Sequence, residues 1–147
     1  MAANIQVVKI GKKDIPDVIL LLRKIVGKLD EAQLMNVLIT RMDSPYYMYM
    51  YGKLDGQIVG IIEVQYRKEL QLFGMREYGF VPTIYVMPSH RRQGVGAKLL
   101  SLAAMWLKNV GARQVVVLSG PKDEGLNPFL QSQGFAPDQA KFVKPLV

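Results

Sequence analysis

The stretch that decides the fold is Val81-Pro-Thr-Ile-Tyr-Val-Met-Pro-Ser-His-Arg-Arg-Gln-Gly-Val-Gly-Ala97. An apolar segment comes first, a short basic loop follows, and two glycines precede a helical pattern. The start of a helix presents unpaired backbone N–H groups and the positive end of the helix dipole, so it attracts anions. Gly94 and Gly96 let a phosphate approach the backbone, and Arg91 and Arg92 add positive charge. The stretch therefore predicts an anion site between a strand and a helix.

Two other glycine-containing phosphate motifs do not fit this stretch. A dinucleotide-binding fingerprint needs a third glycine or an alanine where Leu99 stands. A P-loop needs a lysine followed by serine or threonine directly after its last glycine, and these are missing. A basic glycine turn without any ligand stays open as the alternative at this point.

The flanking patterns predict one α/β domain over residues 1–147, with the element order β-α-α-β-β-β-α-β-α-β. We expect a mixed, mostly antiparallel central sheet flanked by helices. Asp14 is expected to cap a first helix that runs to about Lys28, and Asp30 with Gln33 has the spacing of a capping box. Further expectations are a hairpin turn at Asp55-Gly56, a bulge at Gly60, a charged connection over residues 67–77, a helix over 96–110, a strand over 114–118 buried on both faces, a short helix capped by Asn127, and a last strand over 140–147.

Composition narrows the classes of function. The chain has 147 residues, no cysteine and one histidine, His90. A disulfide framework and a thiolate nucleophile are therefore excluded, and we predict no metal site. We see no apolar run of about 20 residues and no signal-peptide core, so we expect a cytoplasmic protein without a membrane segment. The net charge is +7, and residues 81–147 hold 8 Lys and Arg against 3 Asp and Glu, which favours an anionic ligand.

Residues 86–100 follow the pattern V-x-P-x-x-R-R-Q-G-V-G-A-x-L-L, which resembles the acetyl-CoA signature of the GNAT N-acetyltransferases. The core of that signature, [QR]-x-x-G-x-[GA], is met by Arg91, Gly94 and Gly96. The pair Gly134-Phe135 resembles a second landmark of the family, and the predicted element order resembles the whole family fold. The resemblance implies the GNAT fold, acetyl-CoA as cosubstrate, and transfer of the acetyl group to a primary amine by direct attack. It also leaves a homodimer open.

The resemblance assigns cofactor-binding roles along this stretch. Backbone N–H groups from Arg92 to Ala97 are expected to cradle the pyrophosphate, and Arg92 or Lys98 to meet cofactor phosphates. A backbone N–H near Val86 is expected to stabilise the oxyanion. The expected cofactor-binding residues are Ile84, Tyr85, Val86, Arg91, Arg92, Gln93, Gly94, Val95, Gly96, Ala97 and Asn127, the last of which helix capping would also explain.

The catalytic groups are less clearly marked. The resemblance implies a carboxylate in the strand that precedes the phosphate loop, as in many relatives, but the predicted strand from Phe80 to Val86 has none. Glu63, Glu69 and Glu77 are the nearby candidates for the general base, with a water chain as the alternative. Leu130 stands where the family often has the tyrosine that protonates the leaving thiolate, so Tyr85 and Ser119 are the substitutes considered. Three tyrosines of one strand face either line an acceptor pocket or pack in the sheet: Tyr47, Tyr49 and Tyr51.

Two other functions compete with amine acetylation. A domain that holds acetyl-CoA as a sensor or scaffold, with little catalysis, would explain the absent tyrosine and strand carboxylate. A nucleic-acid binder would explain the basic half, but no recognition helix or aromatic platform is present. The acceptor, whether a small-molecule amine or a protein amine, cannot be chosen from the sequence.

Overall fold

The computed structural model describes residues 4–118, 125–138 and 142–146. Within these residues the elements are β1 (Ile5–Lys9), α1 (Ile15–Val26), α2 (Glu31–Arg41), β2 (Tyr47–Leu54), β3 (Gln57–Gln71), β4 (Gly74–Val86), α3 (Val95–Val110), β5 (Val115–Val117) and α4 (Leu126–Ser132). The five strands form one sheet in the order β1-β2-β3-β4-β5. The first four pair antiparallel, and β5 lies parallel to β4. This confirms the α/β class and the mixed, mostly antiparallel sheet.

Helix α3 lies unusually close to one face of the sheet because glycines stand where it crosses. A Cβ atom on Gly52 would come within 2.7 Å of Val95 Cγ1, and one on Gly60 within 3.3 Å of the same atom. At the other end of the helix, Leu107 fills the space over Gly79. Val95 and Leu107 are each 1% exposed. The first residue of α3 is thereby fixed over the middle of the sheet, beside the end of β4.

The other face of the sheet is covered by α1 and α2. Val18 and Leu21 of α1 and Leu38 of α2 pack there against Tyr51 and Ile61. Both helices therefore bury an apolar stripe of the kind that their sequence periodicity predicts. None of the described helices is long and apolar enough to span a membrane.

Asp14 occupies the N-cap position of α1, as predicted, but its side chain makes no capping hydrogen bond to that helix. Its Oδ2 accepts the Gly11 N–H at 2.8 Å, and its Oδ1 accepts the Tyr51 hydroxyl at 3.0 Å. The Gly11 N–H holds the pKa of the Asp14 carboxyl below its ordinary value. Asp14 therefore ties the chain before α1 to the centre of β2.

The connection expected over residues 67–77 is wrong, because β3 and β4 continue through it as a long hairpin. Leu70 faces Met75 and Gln71 faces Gly74, so only Leu72 and Phe73 form the turn. The charged residues that suggested a loop sit instead on the two strands, where Lys68 pairs with Glu77. Opposite charges across a strand pair stabilise a hairpin that extends beyond the core.

Other boundaries also differ from the predictions. Helix α1 ends at Val26, and β5 is short and only half-buried instead of buried on both faces. Residues 142–146 form no strand and are exposed, so the predicted last strand is wrong over that range. Asn127 lies inside the first turn of α4, whose N-cap is Gly125. Asp30 caps α2 through the Gln33 N–H at 3.0 Å, as predicted.

Candidate active site

The loop before α3 is shaped by two left-handed residues. Arg92 has φ 64° and Gly94 has φ 92°, and no side chain caps the helix in the part of the chain that the structure describes. Helix α4 packs against Gly96, since a Cβ on that glycine would come within 3.1 Å of the Phe129 ring. Because Val95 points its side chain into the core, its backbone N–H is the group it can offer to a ligand. The loop and the first turn of α3 have the geometry of an anion site.

Among the described residues, the end of β4 before this loop has an unpaired edge. β4 pairs with β5 only at Gly79, Phe80 and Val81. Between the pairs Glu63–Thr83 and Gln65–Phe80, β4 has one residue more than β3, which is a bulge, and Pro82 within it has no N–H to donate. Within the described residues, nothing pairs with the β5 side of β4 after Val81.

The backbone of Val86 points to this open edge. Met87 donates its N–H to the Val59 carbonyl of β3 at 2.7 Å. Successive residues of an antiparallel strand direct their N–H groups to opposite sides, so the Val86 N–H points away from β3. Arg91 Nε donates to the Val86 carbonyl at 2.8 Å, and its guanidinium lies 5.2 Å from the centre of the Tyr85 ring. Arg91 thus fixes the loop to the end of β4.

A cavity of about 330 Å³ lies on the face of the sheet covered by α1 and α2. Its floor is formed by Glu63 and Ile61 of β3, Thr83 of β4 and Tyr49 of β2, and its walls by residues of α1, α2 and the connection between them. Thr83 directly precedes Ile84, the first residue of the segment with the open edge. The cavity therefore lies beside the unpaired edge of β4, on the face of the sheet opposite to α3.

Glu63 is the polar centre of the cavity. Its Oε2 accepts the Tyr49 hydroxyl at 2.5 Å and lies 3.4 Å from Arg41 Nη1. The Glu63 side chain is 19% exposed, and its Oε1 makes none of the hydrogen bonds found among the described residues. Burial, and then the bond to the Glu63 carboxylate, raises the pKa of Tyr49 well above its ordinary value. Tyr49 therefore stays protonated near neutral pH and acts as a donor to Glu63.

The other carboxylate candidates lie away from the cavity. Glu69 accepts the Tyr78 hydroxyl at 2.6 Å and Glu77 accepts the Tyr66 hydroxyl at 3.2 Å, both along the long hairpin. Ser119 lies outside the described residues. Leu130 is 7% exposed and packs in the core beneath α3.

The arrangement around Glu63 was only partly visible in the sequence. Tyr85 is half-buried and lies opposite Ile61 of β3. Because Ile61 and Glu63 are two residues apart on the same strand, Tyr85 and Glu63 lie on the same face of the sheet. No pattern in the sequence marks Arg41 or the contact between Tyr49 and Glu63. Their partnership depends on the pairing of β2 with β3, in which Tyr49 faces Glu63.

Comparison with known proteins agrees with this geometry. The model of the acetyltransferase (GNAT) family matches residues 20–135. Aminoglycoside N-acetyltransferase AAC(6')-Iy in complex with CoA is similar, with TM-score 0.85 at 16% identity over 100% of this chain and 98% of that one. The same enzyme with a bisubstrate analogue, CoA-S-monomethyl-acetylneamine, gives 0.83 at 19% over 98% and 99%. The apo 6'-N-acetyltransferase AAC(6')-IG from Acinetobacter haemolyticus gives 0.79 at 20% over 97% and 99%. No curated protein matches the sequence.

The family match, together with the shared fold, defines the class of protein as an acetyltransferase. The chain belongs to the GNAT family of acetyltransferases, since the family match extends over most of its length. It is an acetyl-CoA-dependent N-acetyltransferase, the activity of that family. At these identities the solved structures show the shared fold.

Proposed function

We propose that acetyl-CoA lies along the open edge of β4 with its pyrophosphate at the start of α3. The observation that supports this is the loss of pairing between β4 and β5 after Val81, directly before the loop with left-handed Arg92 and Gly94. An extended pantetheine arm can bond an open strand edge through backbone groups as an added strand does. The N–H groups of residues 92–97 would then meet the phosphates, with Ile84, Tyr85 and Val86 along the arm.

The second part of the proposal concerns the reaction. The Val86 N–H would stabilise the negative charge that develops on the thioester oxygen while the amine attacks. Glu63 would bind the amine through Oε1 and accept its proton, while Tyr49 and Arg41 hold Oε2. The carbon–sulfur bond then breaks, and the thiolate takes a proton. Among the residues that the structure describes, Tyr85 is the candidate for that acid, because it lies on the same face of the sheet as Glu63.

Glu63→Gln tests the role of Glu63. The change keeps the size of the side chain and removes the base, so turnover with amine acceptors should fall by about a hundredfold or more. Stability should change by about 1 kcal/mol or less, because Arg41 is 36% exposed and the ion pair is partly solvated. Release of CoA thiol with a panel of amines measures the first effect, and a melting curve the second.

Glu69→Gln is the matched control. Glu69 also accepts a tyrosine hydroxyl, but on the distal hairpin, so its loss should leave turnover unchanged. Equal turnover of Glu63→Gln and the parent would refute Glu63 as the base. Equal loss in both variants would indicate a general effect of removing a carboxylate.

We further propose that residues 1–147 act as one catalytic unit in the cytoplasm. The two hydrophobic clusters of the protein lie on opposite faces of the same sheet, which supports a single unit.

A further inference from the structure

Two donors of unequal quality hold the Glu63 carboxylate. From β2, the Tyr49 hydroxyl donates to Oε2 at 2.5 Å, and Tyr49 is only 6% exposed. From α2, Arg41 Nη1 lies 3.4 Å from the same oxygen, and the Arg41 side chain is 36% exposed. A long, partly solvated arginine at that distance is a weak partner, whereas a hydroxyl on a buried ring is held in one place. Tyr49 therefore contributes most of what holds Oε2.

The sheet fixes where the Tyr49 hydroxyl lies. Tyr49 and Glu63 stand directly opposite each other in the ladder between β2 and β3, so their side chains are neighbours on one face. The Tyr49 ring belongs to the hydrophobic cluster that covers this face. The hydroxyl therefore meets Oε2 in a position that the backbone pairing and the packing of the ring set together.

The Glu63 carboxylate needs such an anchor. The torsion about the bond to the carboxyl carbon of a glutamate is broad, so a carboxylate without partners turns freely. Thr83 stands opposite Glu63 on β4 but makes no hydrogen bond to it among the described residues. A general base must lie within hydrogen-bond reach of the proton that it accepts, and a misplacement of about 1 Å can cost about a hundredfold in rate. Holding Oε2 leaves Oε1 for the cavity that Glu63 lines.

We infer that Tyr49 is a positioning residue for acetyl transfer. Its hydroxyl holds Glu63 in the orientation in which Oε1 accepts a proton from the acceptor amine, and Arg41 contributes little to this. The inference rests on the proposed function, in which Glu63 is the base. The proton passes from the amine nitrogen to Glu63 Oε1 and then to water, while Tyr49 keeps its own proton throughout.

Tyr49→Phe removes the hydroxyl and keeps the ring. The kcat for CoA thiol release should fall by about tenfold, because the base loses its orientation. The KM for acetyl-CoA should stay unchanged, because the proposed cofactor site is on β4. Hexylamine, butane-1,4-diamine and glycinamide are the test amines, and the one with which the parent reacts fastest is used for every variant.

Arg41→Met compares the second donor. The change keeps the hydrocarbon part of the side chain and removes the charge, and kcat should fall by about threefold or less. A loss in Arg41→Met as large as that in Tyr49→Phe would overturn the assignment of the position of Glu63 to Tyr49.

Tyr78→Phe is the matched control. Tyr78 is 7% exposed and donates to the Glu69 carboxylate at 2.6 Å, so the change removes the same kind of bond from the distal hairpin. Melting curves should show both variants folded at the assay temperature, and kcat should fall only in Tyr49→Phe. A kcat of Tyr49→Phe equal to that of the parent, or an equal loss in Tyr78→Phe, would contradict the inference.

Adding Tyr49→Phe to Glu63→Gln separates an effect through Glu63 from an effect of the tyrosine itself. If Tyr49 acts only by orienting the base, kcat of the double variant should stay within about twofold of that of Glu63→Gln alone. A further tenfold loss would mean that Tyr49 acts directly on a substrate, which would overturn the positioning role.

These results distinguish the inference from the proposed function beneath it. Thiol release that depends on amine and on Glu63, but is equal in Tyr49→Phe and the parent, refutes only the role of Tyr49. Thiol release that no amine stimulates, in a protein that still binds acetyl-CoA, refutes the proposed role of Glu63 and the inference with it.

Discussion

The close approach of α3 to the sheet at Gly79 gives the sharpest prediction for stability. In Gly79→Ala the new Cβ would lie 2.7 Å from Leu107 Cδ2 and closer still to Cδ1. These distances are roughly 1 Å or more below the optimum for carbon contacts. Leu107 is 1% exposed, so its side chain has no solvent-filled space into which to turn. The helix or the strand must therefore move.

Two opposing effects set the size of the change. Overpacking of a closed core costs about 1–3 kcal/mol, and we expect the upper part of that range here. Replacing glycine by alanine also restricts the unfolded chain, which stabilises by about 0.4–1 kcal/mol where the backbone is compatible. The overpacking is larger, so the free energy of unfolding should fall by about 2 kcal/mol. For a chain of this size the melting temperature should fall by about 4–8 °C.

Melting curves of four variants test this reasoning. Gly125→Ala is the control, because Gly125 has φ −84° and nothing lies within 4 Å of the position of its Cβ, so its melting temperature should stay close to that of the parent. Leu107→Ala should destabilise by about 2–5 kcal/mol through a cavity. Adding Gly79→Ala to Leu107→Ala should then cost little, because the added methyl group enters that cavity. If Gly79→Ala costs the same in both backgrounds, Leu107 is not the cause and the reasoning is wrong.

Four further predictions concern binding, packing and pH. Acetyl-CoA at about a hundredfold excess over its Kd should stabilise the protein by about 2.7 kcal/mol, and a melting curve that it leaves unchanged would contradict the phosphate site. Gly94→Val should abolish this stabilisation, because φ is 92° at this position and a Cβ would lie 3.3 Å from Ile5 Cδ1, so the loop that would hold the pyrophosphate must change shape. Calorimetry that shows parental affinity would place the pyrophosphate elsewhere. Leu130→Tyr should destabilise by about 1–3 kcal/mol without raising turnover, since position 130 is buried in the core, and a severalfold faster enzyme would refute this. The pKa of Asp14 in the folded protein lies below 3.8, the ordinary pKa of an aspartate. Its contribution to stability is therefore complete above pH 3.8 and is lost as the pH falls through the pKa of the folded state. Denaturant unfolding measured across acid pH should therefore show a weaker pH dependence for Asp14→Asn, and an identical dependence would remove Asp14 as the cause.

Features governed by a few neighbouring residues could be predicted from the sequence. Local backbone preferences account for the left-handed Gly94 before α3, the cap of α2 at Asp30 and the left-handed helix ends at Gly111 and Gly134.

Local rules failed where a distant partner competed. Asp14 holds the N-cap position of α1, but its carboxylate accepts from Gly11 and from the distant Tyr51 instead of from the helix. The long hairpin was missed because Glu69 and Glu77 accept tyrosine hydroxyls across the strand pair, which the local charge pattern does not reveal.

The sequence alone thus determined the family, the order of the central elements and the glycine-containing loop before α3, where we propose the site for a phosphorylated cosubstrate. The surroundings of Glu63 were decided only by the tertiary structure, through one residue. Leu54 faces Gln57 across the turn, and an unbroken ladder from there would place Tyr49 opposite Ile62. Val59, next to the predicted bulge at Gly60, is an extra residue in β3 and shifts the register, so that Tyr49 faces Glu63. Because side chains alternate between the two faces of a sheet, this shift turns Glu63 toward the cavity and Ile62 toward α3.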